Sequence, residues 1–181
     1  MTREEAVILL KQHIQKENLL KHMYATEACM KSLAEKLGED GAAWSLAGLL
    51  HDVDYELTSE NPSQHGVEAQ SLLKPLALAP EILDAIACHA GYRERTTNMA
   101  KGLYAVDPLT GLIIASALMT PEKSLLAVRT ETVLKRFKEK RFAAGANREQ
   151  IKMCSQLGLS LEDFCQVCLA AMQSIHETLG L

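Results

Sequence analysis

The segment SLAGLLHDVDYE, residues 45–56, is almost entirely apolar until His51 and Asp52 stand side by side. The residues before it, AAW, extend this apolar run, which predicts a central helix buried on all sides. In such a helix an ionised Asp52 is costly unless it is paired or bound to a metal ion. The dipeptide therefore predicts either a metal site or a neutral histidine hydrogen-bonded within the core, with Asp52 at the helix end.

The rest of the chain favours helix over strand. Its 181 residues are 48% apolar and 23% charged, aromatic residues make up only 4%, and no long segment alternates apolar and polar residues. Such a composition is ordinary for a globular protein and is typical of helical ones. We therefore expect an all-α fold of about one domain.

Capping signals divide the first ninety residues into five predicted helices. Thr2 and Glu5 have capping-box spacing, and the first helix is expected to run to about Glu17. An apolar stripe from Leu19 ends at Gly38, which predicts the end of the second helix. The next three helices are predicted to begin at Gly41, at Asn61-Pro62 and at Pro80, the last of them ending at Gly91.

Helix signals are less regular in the second half of the chain. Residues 92–102 carry no apolar period and are predicted to form a loop. Asp107-Pro108 and Thr120-Pro121 are each predicted to cap and start a helix. A break at residues 145–147, a helix near 148–157 and a last helix after Ser160 are expected to follow.

Four more residues that could ligate a metal lie on inward sides of the predicted helices. His22 flanks the apolar stripe of the second helix, and His65 shares a side with Ala69. His89 lies on the buried side of the fifth helix, and Asp107 follows the apolar lead-in GLYAV. Imidazole and carboxylate ligands suit Fe, Mn, Zn and Ni. His13 and His176 do not fit this pattern, and no site role is predicted for them.

The ordered set His22, His51-Asp52 and Asp107 resembles the signature of the HD superfamily of metal-dependent phosphohydrolases, over about residues 18–125. The segments NLLKHMYATEACM, AGLLHDVDYE and YAVDPLTGLIIASALM are similar in particular to a bacterial subgroup of predicted HD hydrolases. The resemblance implies a five-helix core whose four signature residues bind one divalent metal. It implies an HD domain over residues 1–125 and a helical extension over residues 126–181 packed on it.

The same resemblance leaves the number of metal ions open. Two-metal members add two histidines between the His-Asp pair and the final Asp, and His65 and His89 occupy that interval. Asp52 would then bridge two ions; alternatively, the two histidines contact a substrate phosphate or donate a proton to the leaving group. We thus expect one or two divalent ions, with Asp52, His89 and His65 as catalytic residues.

The leading functional hypothesis is hydrolysis of a small phosphate ester, such as a nucleotide, by metal-activated water. Arg93, Lys140 and Arg141 are weaker candidates for phosphate contacts, since charged surface residues are usually only solvated. A di-iron HD-type oxygenase and a non-catalytic metal-binding regulatory module are the alternatives. A cyclic-dinucleotide phosphodiesterase is disfavoured, because Gly91-Tyr92 is followed by Arg93 where that branch has proline.

Charge and cysteine content limit the expected partners. The net charge of −4 argues against a nucleic-acid binder, and no apolar run is long enough for a membrane span. Five cysteines and the absence of a signal peptide predict a reduced, cytoplasmic protein, which could form a homodimer. Cys165-x-x-Cys168 is predicted to be core packing rather than a zinc or redox motif.

Asp54 follows the His-Asp pair and has two predicted roles. It stands three residues after His51 and could orient the second ring nitrogen of that histidine. It could equally be a carboxylate at the helix end. The sequence does not choose between these roles.

Overall fold

The computed structural model describes residues 1–181, and every regular element in it is helical. This confirms the predicted all-α class. The ten α-helices are α1 Arg3–His13, α2 Glu17–Leu37, α3 Gly41–Leu50, α4 Val67–Leu73, α5 Pro80–His89, α6 Asn98–Leu118, α7 Thr130–Lys138, α8 Arg148–Lys152, α9 Leu161–Ser174 and α10 His176–Leu179. Short 3₁₀ turns cover Pro62–Gln64, Lys74–Leu76, Leu125–Ala127 and Met153–Leu157. None of the helices is both long enough and apolar enough to cross a lipid bilayer.

The core is organised around α2, which packs against α3, α6 and α9. The helix α5 packs against α3 and α6, so α2, α3, α5 and α6 form one packed group within the first 118 residues. The C-terminal helices α7 and α8 lie against α6. Their buried side chains join one continuous hydrophobic cluster with those of α2 and α3. The division of the chain at residue 125 stays a prediction.

A glycine sets the close approach of α2 and α3. A Cβ atom at Gly48 would lie 2.8 Å from the carbonyl oxygen of Thr26 and 3.0 Å from the Cα of Glu27. Both of these neighbours are backbone atoms of α2, so they cannot move aside as a flexible side chain would. Gly48 therefore allows α3 to carry His51 against the part of α2 that holds His22.

The predicted first helix is too long. The helix α1 ends at His13, because Ile14 is extended and buried. The carboxylate of Glu56 accepts hydrogen bonds from the backbone N–H groups of Gln15 and Lys16, at 3.0 and 2.7 Å. This contact comes from a residue 40 positions away in the chain, so no local pattern could reveal it.

The predicted fourth helix is divided in two. A 3₁₀ turn at Pro62–Gln64 is separated from α4 by Gly66, whose φ of 81° only glycine adopts readily. His65 lies between the two elements in an extended-like conformation, with ψ of 132°, rather than on the inner side of a helix. The prediction that His65 shares a helical side with Ala69 is therefore wrong.

The observed bounds of α6 show that two further helix predictions are wrong. It begins at Asn98, inside the predicted loop 92–102, with the Thr97 side chain accepting a hydrogen bond from the N–H of Ala100. Asp107 and Pro108 lie in the middle of α6 and do not start a helix. Pro108 removes one backbone donor, but the surrounding residues are buried on both sides of it, and this packing keeps the helix continuous.

Thr120-Pro121 ends a helix instead of starting one. The Thr120 hydroxyl donates to the carbonyl of Ala117 and accepts from the N–H of Ser124. The next α-helix, α7, begins only at Thr130. Other boundaries agree with the predictions: Gly38 ends α2 in a left-handed conformation, Gly41 starts α3, Pro80 starts α5 and Ser160 caps α9. The helix predicted near 148–157 is α-helical only to Lys152 and continues as a 3₁₀ turn, and the helix predicted to carry His51 and Asp52 ends at Leu50.

We expect Gly48→Ala to lower the free energy of unfolding by about 1–3 kcal/mol, because the added methyl group meets the backbone of α2. The matched control is Gly111→Ala on α6, where a Cβ would meet no atom within 4 Å. That change should be neutral or stabilise by up to about 1 kcal/mol through helix propensity. Urea unfolding of both variants is the measurement. Equal stability of the two would contradict the close approach of α2 and α3.

Candidate metal centre

The structure brings all six predicted ligands together from five parts of the chain. His22 comes from the second turn of α2, and His51 and Asp52 directly follow α3. His65 comes from the turn before α4, His89 ends α5, and Asp107 lies midway along α6. Two groups of these side chains have ligand atoms within 4.8 Å of one another: His22, His51 and Asp107, and His51, Asp52 and His89.

One set of ligand atoms surrounds the Nε2 atom of His22. This atom lies 3.2 Å from His51 Nε2 and 3.1 Å from Asp107 Oδ1. Asp52 Oδ2 lies 3.4 Å from His51 Nε2 and 3.8 Å from His22 Nε2. These four residues are the signature set predicted from the sequence.

A second set surrounds the other oxygen of Asp52. Asp52 Oδ1 lies 3.4 Å from His65 Nε2 and 3.7 Å from His89 Nε2. Asp107 Oδ2 lies 3.3 Å from His89 Nε2. Asp52 and Asp107 thus each direct one oxygen toward the pair His22 and His51, and the other oxygen toward the pair His65 and His89.

Hydrogen bonds on the outer side of the rings direct ring lone pairs toward the centre. His51 Nδ1 donates to the carbonyl oxygen of Gly48 at 2.8 Å, so Nε2 carries the lone pair of the neutral ring. The Thr110 hydroxyl donates to the carbonyl of Asp107, which leaves its oxygen to accept from His22 Nδ1 at 3.0 Å. The two Nε2 lone pairs of His22 and His51 therefore face each other.

This arrangement fits a metal ion. Neutral rings with lone pairs 3.2 Å apart, flanked by two carboxylates, repel one another unless positive charge lies between them. Ligand atoms held about 2.1 Å from a tetrahedral or octahedral ion lie about 3.0–3.4 Å apart. Three of the four ligand separations given for the first set, 3.1 to 3.4 Å, match that spacing, and the fourth, between His22 Nε2 and Asp52 Oδ2, is 3.8 Å.

Asp54 supports His65 instead of His51. Its Oδ1 accepts from His65 Nδ1 at 2.9 Å, and its Oδ2 accepts from the N–H groups of Gly66 and Ala69 at 2.6 and 2.9 Å. Of the two roles left open for Asp54, orientation of His51 is excluded, because the Nδ1 atom of that ring bonds to the carbonyl of Gly48. Asp54 is fully buried and fixes the imidazole of His65 with Nε2 toward Asp52.

The electrostatics of the metal-free site follow from these contacts. Burial alone would lower the pKa of His51, but the charge of Asp52, its hydrogen bond and the charge of Asp107 together raise that pKa to about 9. Burial alone would raise the pKa of both carboxyls, but His51 and His89 hold the pKa of Asp52 low, and His22 and His89 hold that of Asp107 low. Without a metal ion, a proton on His51 supplies the positive charge that the centre requires.

Two residues of the site were not predicted from the sequence. Thr110 orients His22, and the carbonyl of Gly48 orients His51. Thr110 lies one helical turn after Asp107, which is the one local signal that could have indicated it. The Nδ1 atom of His89 is buried without a hydrogen-bond partner.

The predicted phosphate-binding cations lie outside the cluster of six ligands. Arg93 pairs with Asp84 at 2.9 Å on the surface. Lys140 lines a separate cavity of about 650 Å³ formed by α7, α8 and the segment between them, and no ligand of the cluster lines this cavity. Arg141 is exposed at the same segment. Their role in substrate binding stays a prediction.

The cysteines are core residues. Cys165 and Cys168 are fully buried in α9, and the Cys29 thiol donates to the carbonyl of Cys168 at 3.4 Å. Burial raises the pKa of Cys165 to about 12, so its thiol remains protonated at neutral pH. All five cysteines are free and buried, and the burial of Cys165 and Cys168 agrees with the prediction that these two are core residues.

The helical fold brings histidines and aspartates together in a largely buried cluster that could hold a metal ion. The sequence profile of the HD domain family matches residues 19–124, more than half of the chain. The chain therefore belongs to the HD domain family, as its resemblance predicts. HD domains are in general metal-dependent phosphohydrolases and bind divalent metals, and this cluster could hold such an ion.

Curated relatives of the chain are named Ribonuclease Y. The chain is 30% identical over 139 residues to Ribonuclease Y of Bacillus pumilus (strain SAFR-032), a match that covers 74% of this chain and 26% of that protein. It is 31% identical over 136 residues to Ribonuclease Y of Desulforudis audaxviator (strain MP104C), with the same coverage. The chain thus spans about a quarter of the length of these relatives.

Metal-free protein should lose stability as the pH rises. Because the folded pKa of His51, about 9, exceeds its ordinary value of 6.5, its contribution is complete below pH 6.5 and is lost as the pH rises through 9. We expect chelator-treated protein to lose up to about 3 kcal/mol of unfolding free energy over this interval. Metal-loaded protein should lose less, because the ion replaces the proton. Denaturant unfolding at several pH values measures both. A flat profile for the chelated protein would contradict this assignment.

We expect Thr110→Val to weaken metal affinity by about 10–100-fold, because His22 loses the hydroxyl that fixes its ring. The matched control is Ser116→Ala, which removes a buried α6 hydroxyl that bonds only to the carbonyl of Leu112. Competition with a chelator of known affinity measures the effect. Equal metal affinities for the two variants would refute the role of Thr110.

Proposed function

We propose that this chain hydrolyses a small phosphate ester at a centre that holds one or two divalent ions. The observation that carries the proposal is the division of Asp52 between two histidine pairs. Its Oδ2 lies nearest His51 and His22, and its Oδ1 lies nearest His65 and His89. Such a shared carboxylate suits two adjacent ions, and the arrangement also suits one ion beside a pair of histidines that contact phosphate.

The two sets of residues define which groups would hold each ion. The first set comprises His22, His51, Asp52 and Asp107, and the second comprises His65, His89 and the second oxygens of Asp52 and Asp107. A bound divalent ion would lower the pKa of water at the site and offset the negative charge of the phosphate. Which metal binds depends on the availability of the metal as well as on the ligand types, so Fe, Mn, Zn and Ni remain the candidates.

The exposure of the side chains indicates how a substrate approaches. His51 is fully buried, and Asp52 and His89 are nearly so. The side chains of His22, His65 and Asp107 are 21%, 20% and 29% exposed. A phosphate would therefore reach the centre from the side of these three residues.

His65 is the better candidate for a proton donor to the leaving oxygen. It is partly exposed, and burial alone would lower its pKa, but the hydrogen bond to Asp54 and the charge of Asp52 raise that pKa. The buried Asp54 carboxylate fixes the ring and stabilises its protonated form. This role applies where His65 does not bind an ion.

The names of the relatives raise RNA as a second candidate substrate. One feature of this chain favours a polyanion: residues 135–152 carry seven Lys and Arg side chains against two Glu. The net charge of −4 for the whole chain opposes strong, nonspecific binding to phosphate backbones. We therefore keep the small phosphate ester as the primary proposal and RNA as an outcome of the test.

The test combines metal analysis with a substrate panel. Protein loaded with each candidate metal is assayed with phosphomonoesters, nucleotides and short RNA, while oxygen consumption is recorded. We expect phosphate release from small esters and a loss of at least about a hundredfold in Asp52→Ala, together with loss of bound metal. His176→Ala, a histidine outside the cluster, is the control and should retain both.

Each other result has a defined meaning. RNA cleavage without turnover of small esters would replace the proposed substrate, and oxygen uptake without phosphate release would support the oxygenase. Full metal content in Asp52→Ala would refute the site itself. A fall from two ions to one in both His65→Ala and His89→Ala would establish the second ion.

A further inference from the structure

The two histidines nearest Asp52 Oδ1 come from different elements. His65 belongs to the turn before α4, and His89 ends α5. Their ring centroids lie 5.4 Å apart with the ring planes perpendicular, and their Nε2 atoms lie 3.4 and 3.7 Å from that one oxygen. The turn and the helix must therefore be held at a set distance for both rings to reach Asp52.

The residues that follow these two histidines pack directly against each other. Gly66 follows His65, and Ala90 follows His89. A Cβ atom at Gly66 would collide with the Cβ atom of Ala90, and it would lie 3.2 Å from Cε2 of Tyr92. The turn thus approaches the end of α5 as closely as a residue without a side chain permits.

Tyr92 bonds to both sides of this contact. The Cδ2–Cε2 edge of its ring faces Gly66, and its hydroxyl donates to the carbonyl of Ser63 in the 3₁₀ turn. Its backbone N–H donates to the carbonyl of Ala87 in α5 at 3.2 Å. One residue therefore joins the turn that carries one histidine to the helix that carries the other.

The loop that carries Tyr92 is itself fixed to two helices. The Cys88 thiol donates to the carbonyl of Glu94, and the Arg95 guanidinium donates to the carbonyl of Cys88, both at 3.2 Å. The same guanidinium lies 4.0 Å from the ring centroid of Tyr104 in α6. Because the loop is held on α5 and α6, the tyrosine hydroxyl places the turn relative to these helices.

We propose that Tyr92 is a positioning residue for the second ligand set: it sets the distance between His65 and His89, and thereby the affinity for a second divalent ion. This inference rests on the proposed function. Asp54 fixes the direction of the His65 ring, whereas Tyr92 fixes the place of the whole turn against α5. The histidines of the first set are oriented from α3 and α6 and do not depend on this contact.

Loss of the tyrosine side chain should leave the fold in place. The residue is 47% exposed, so its removal opens no internal cavity. The side chain of Gln70 holds α4 on α5 independently, since it donates to the carbonyl of Leu83 at 2.8 Å. The expected effect is therefore a displaced turn and not an unfolded protein.

The experiment titrates the chelator-treated chain with Mn²⁺ and measures the free ion by electron paramagnetic resonance. We expect two sites in the unmodified protein. Tyr92→Ala should keep the first affinity and weaken the second by about 10–100-fold. Tyr92→Phe, which keeps the ring edge beside Gly66 but lacks the hydroxyl, should lie between the two. Glu94→Ala, an exposed residue of the same loop, is the matched control and should bind both ions as the unmodified protein does.

Three results would overturn the inference. Binding of a single ion by the unmodified protein would show that His65 and His89 form no second site. An equal loss of both affinities in Tyr92→Ala would show that the tyrosine only stabilises the fold. Unchanged binding of both ions in that variant would show that it does not position the turn. If Tyr92→Ala loses its helical circular dichroism, Tyr92→Phe decides, and unchanged binding of the second ion by Tyr92→Phe would then overturn the inference.

Metal titration without substrate separates this inference from the proposed function. Selective loss of the second ion in Tyr92→Ala would support the positioning role whether or not any phosphate ester is hydrolysed. Phosphate release by Tyr92→Ala at the unmodified rate, with both ions retained, would support the hydrolase and exclude the positioning role.

Discussion

Positive charge at the centre of four imidazoles and two carboxylates is the constraint on which this structure depends. The Nε2 atoms of His22 and His51 approach within 3.2 Å, and both Asp52 and Asp107 direct oxygens toward them. Neutral rings and charged carboxylates cannot stay in this arrangement without a cation between them. A proton on His51 meets the requirement weakly, and a divalent ion meets it for all the ligands of a set. Binding of such an ion would therefore be coupled to folding at this site.

The backbone near Gly48 affects both the packing of the helices and the geometry of the histidine–aspartate cluster. The absence of a side chain there lets α3 approach the α2 backbone near Thr26, one turn beyond His22. The carbonyl of the same residue then accepts the proton on His51 Nδ1, which turns Nε2 toward His22. One glycine thus sets both the separation of two helices and the orientation of a ligand. A packing change at this position is also a change in the metal centre.

The sequence predicted the ligands better than the local structure that carries them. All six predicted ligands meet, and for the others besides His65 the apolar neighbours in the sequence correctly indicated an inward position. Asp107 was placed at a helix start since Asp-Pro usually marks one, but the buried neighbours of α6 outweigh that preference. His65 was placed on a helix, whereas Gly66 interrupts it. Thr110 contacts His22 from 88 positions away in the chain, which periodicity does not reveal. Gly48 and Asp54 contact residues three and eleven positions away through turns that follow no helical period.

Hydrogen bonds to the Nδ1 atoms on the outer side of the imidazole rings explain why the ligands differ in how firmly they are oriented. His22, His51 and His65 are fixed by Thr110, Gly48 and Asp54, respectively, so their Nε2 atoms point inward before any ion binds. His89 has no such partner on Nδ1, and the contacts that orient it are those of Nε2 with Asp52 and Asp107 and the edge-on packing of its ring against His51 and His65. The first ligand set is therefore preorganised by the protein. In the second set, only His65 is oriented by an outer hydrogen bond. His89, the other histidine of that set, contacts Asp52 and Asp107, which also belong to the first set. Ordering of the first set should then precede and support the second, because Asp52 and Asp107 belong to both.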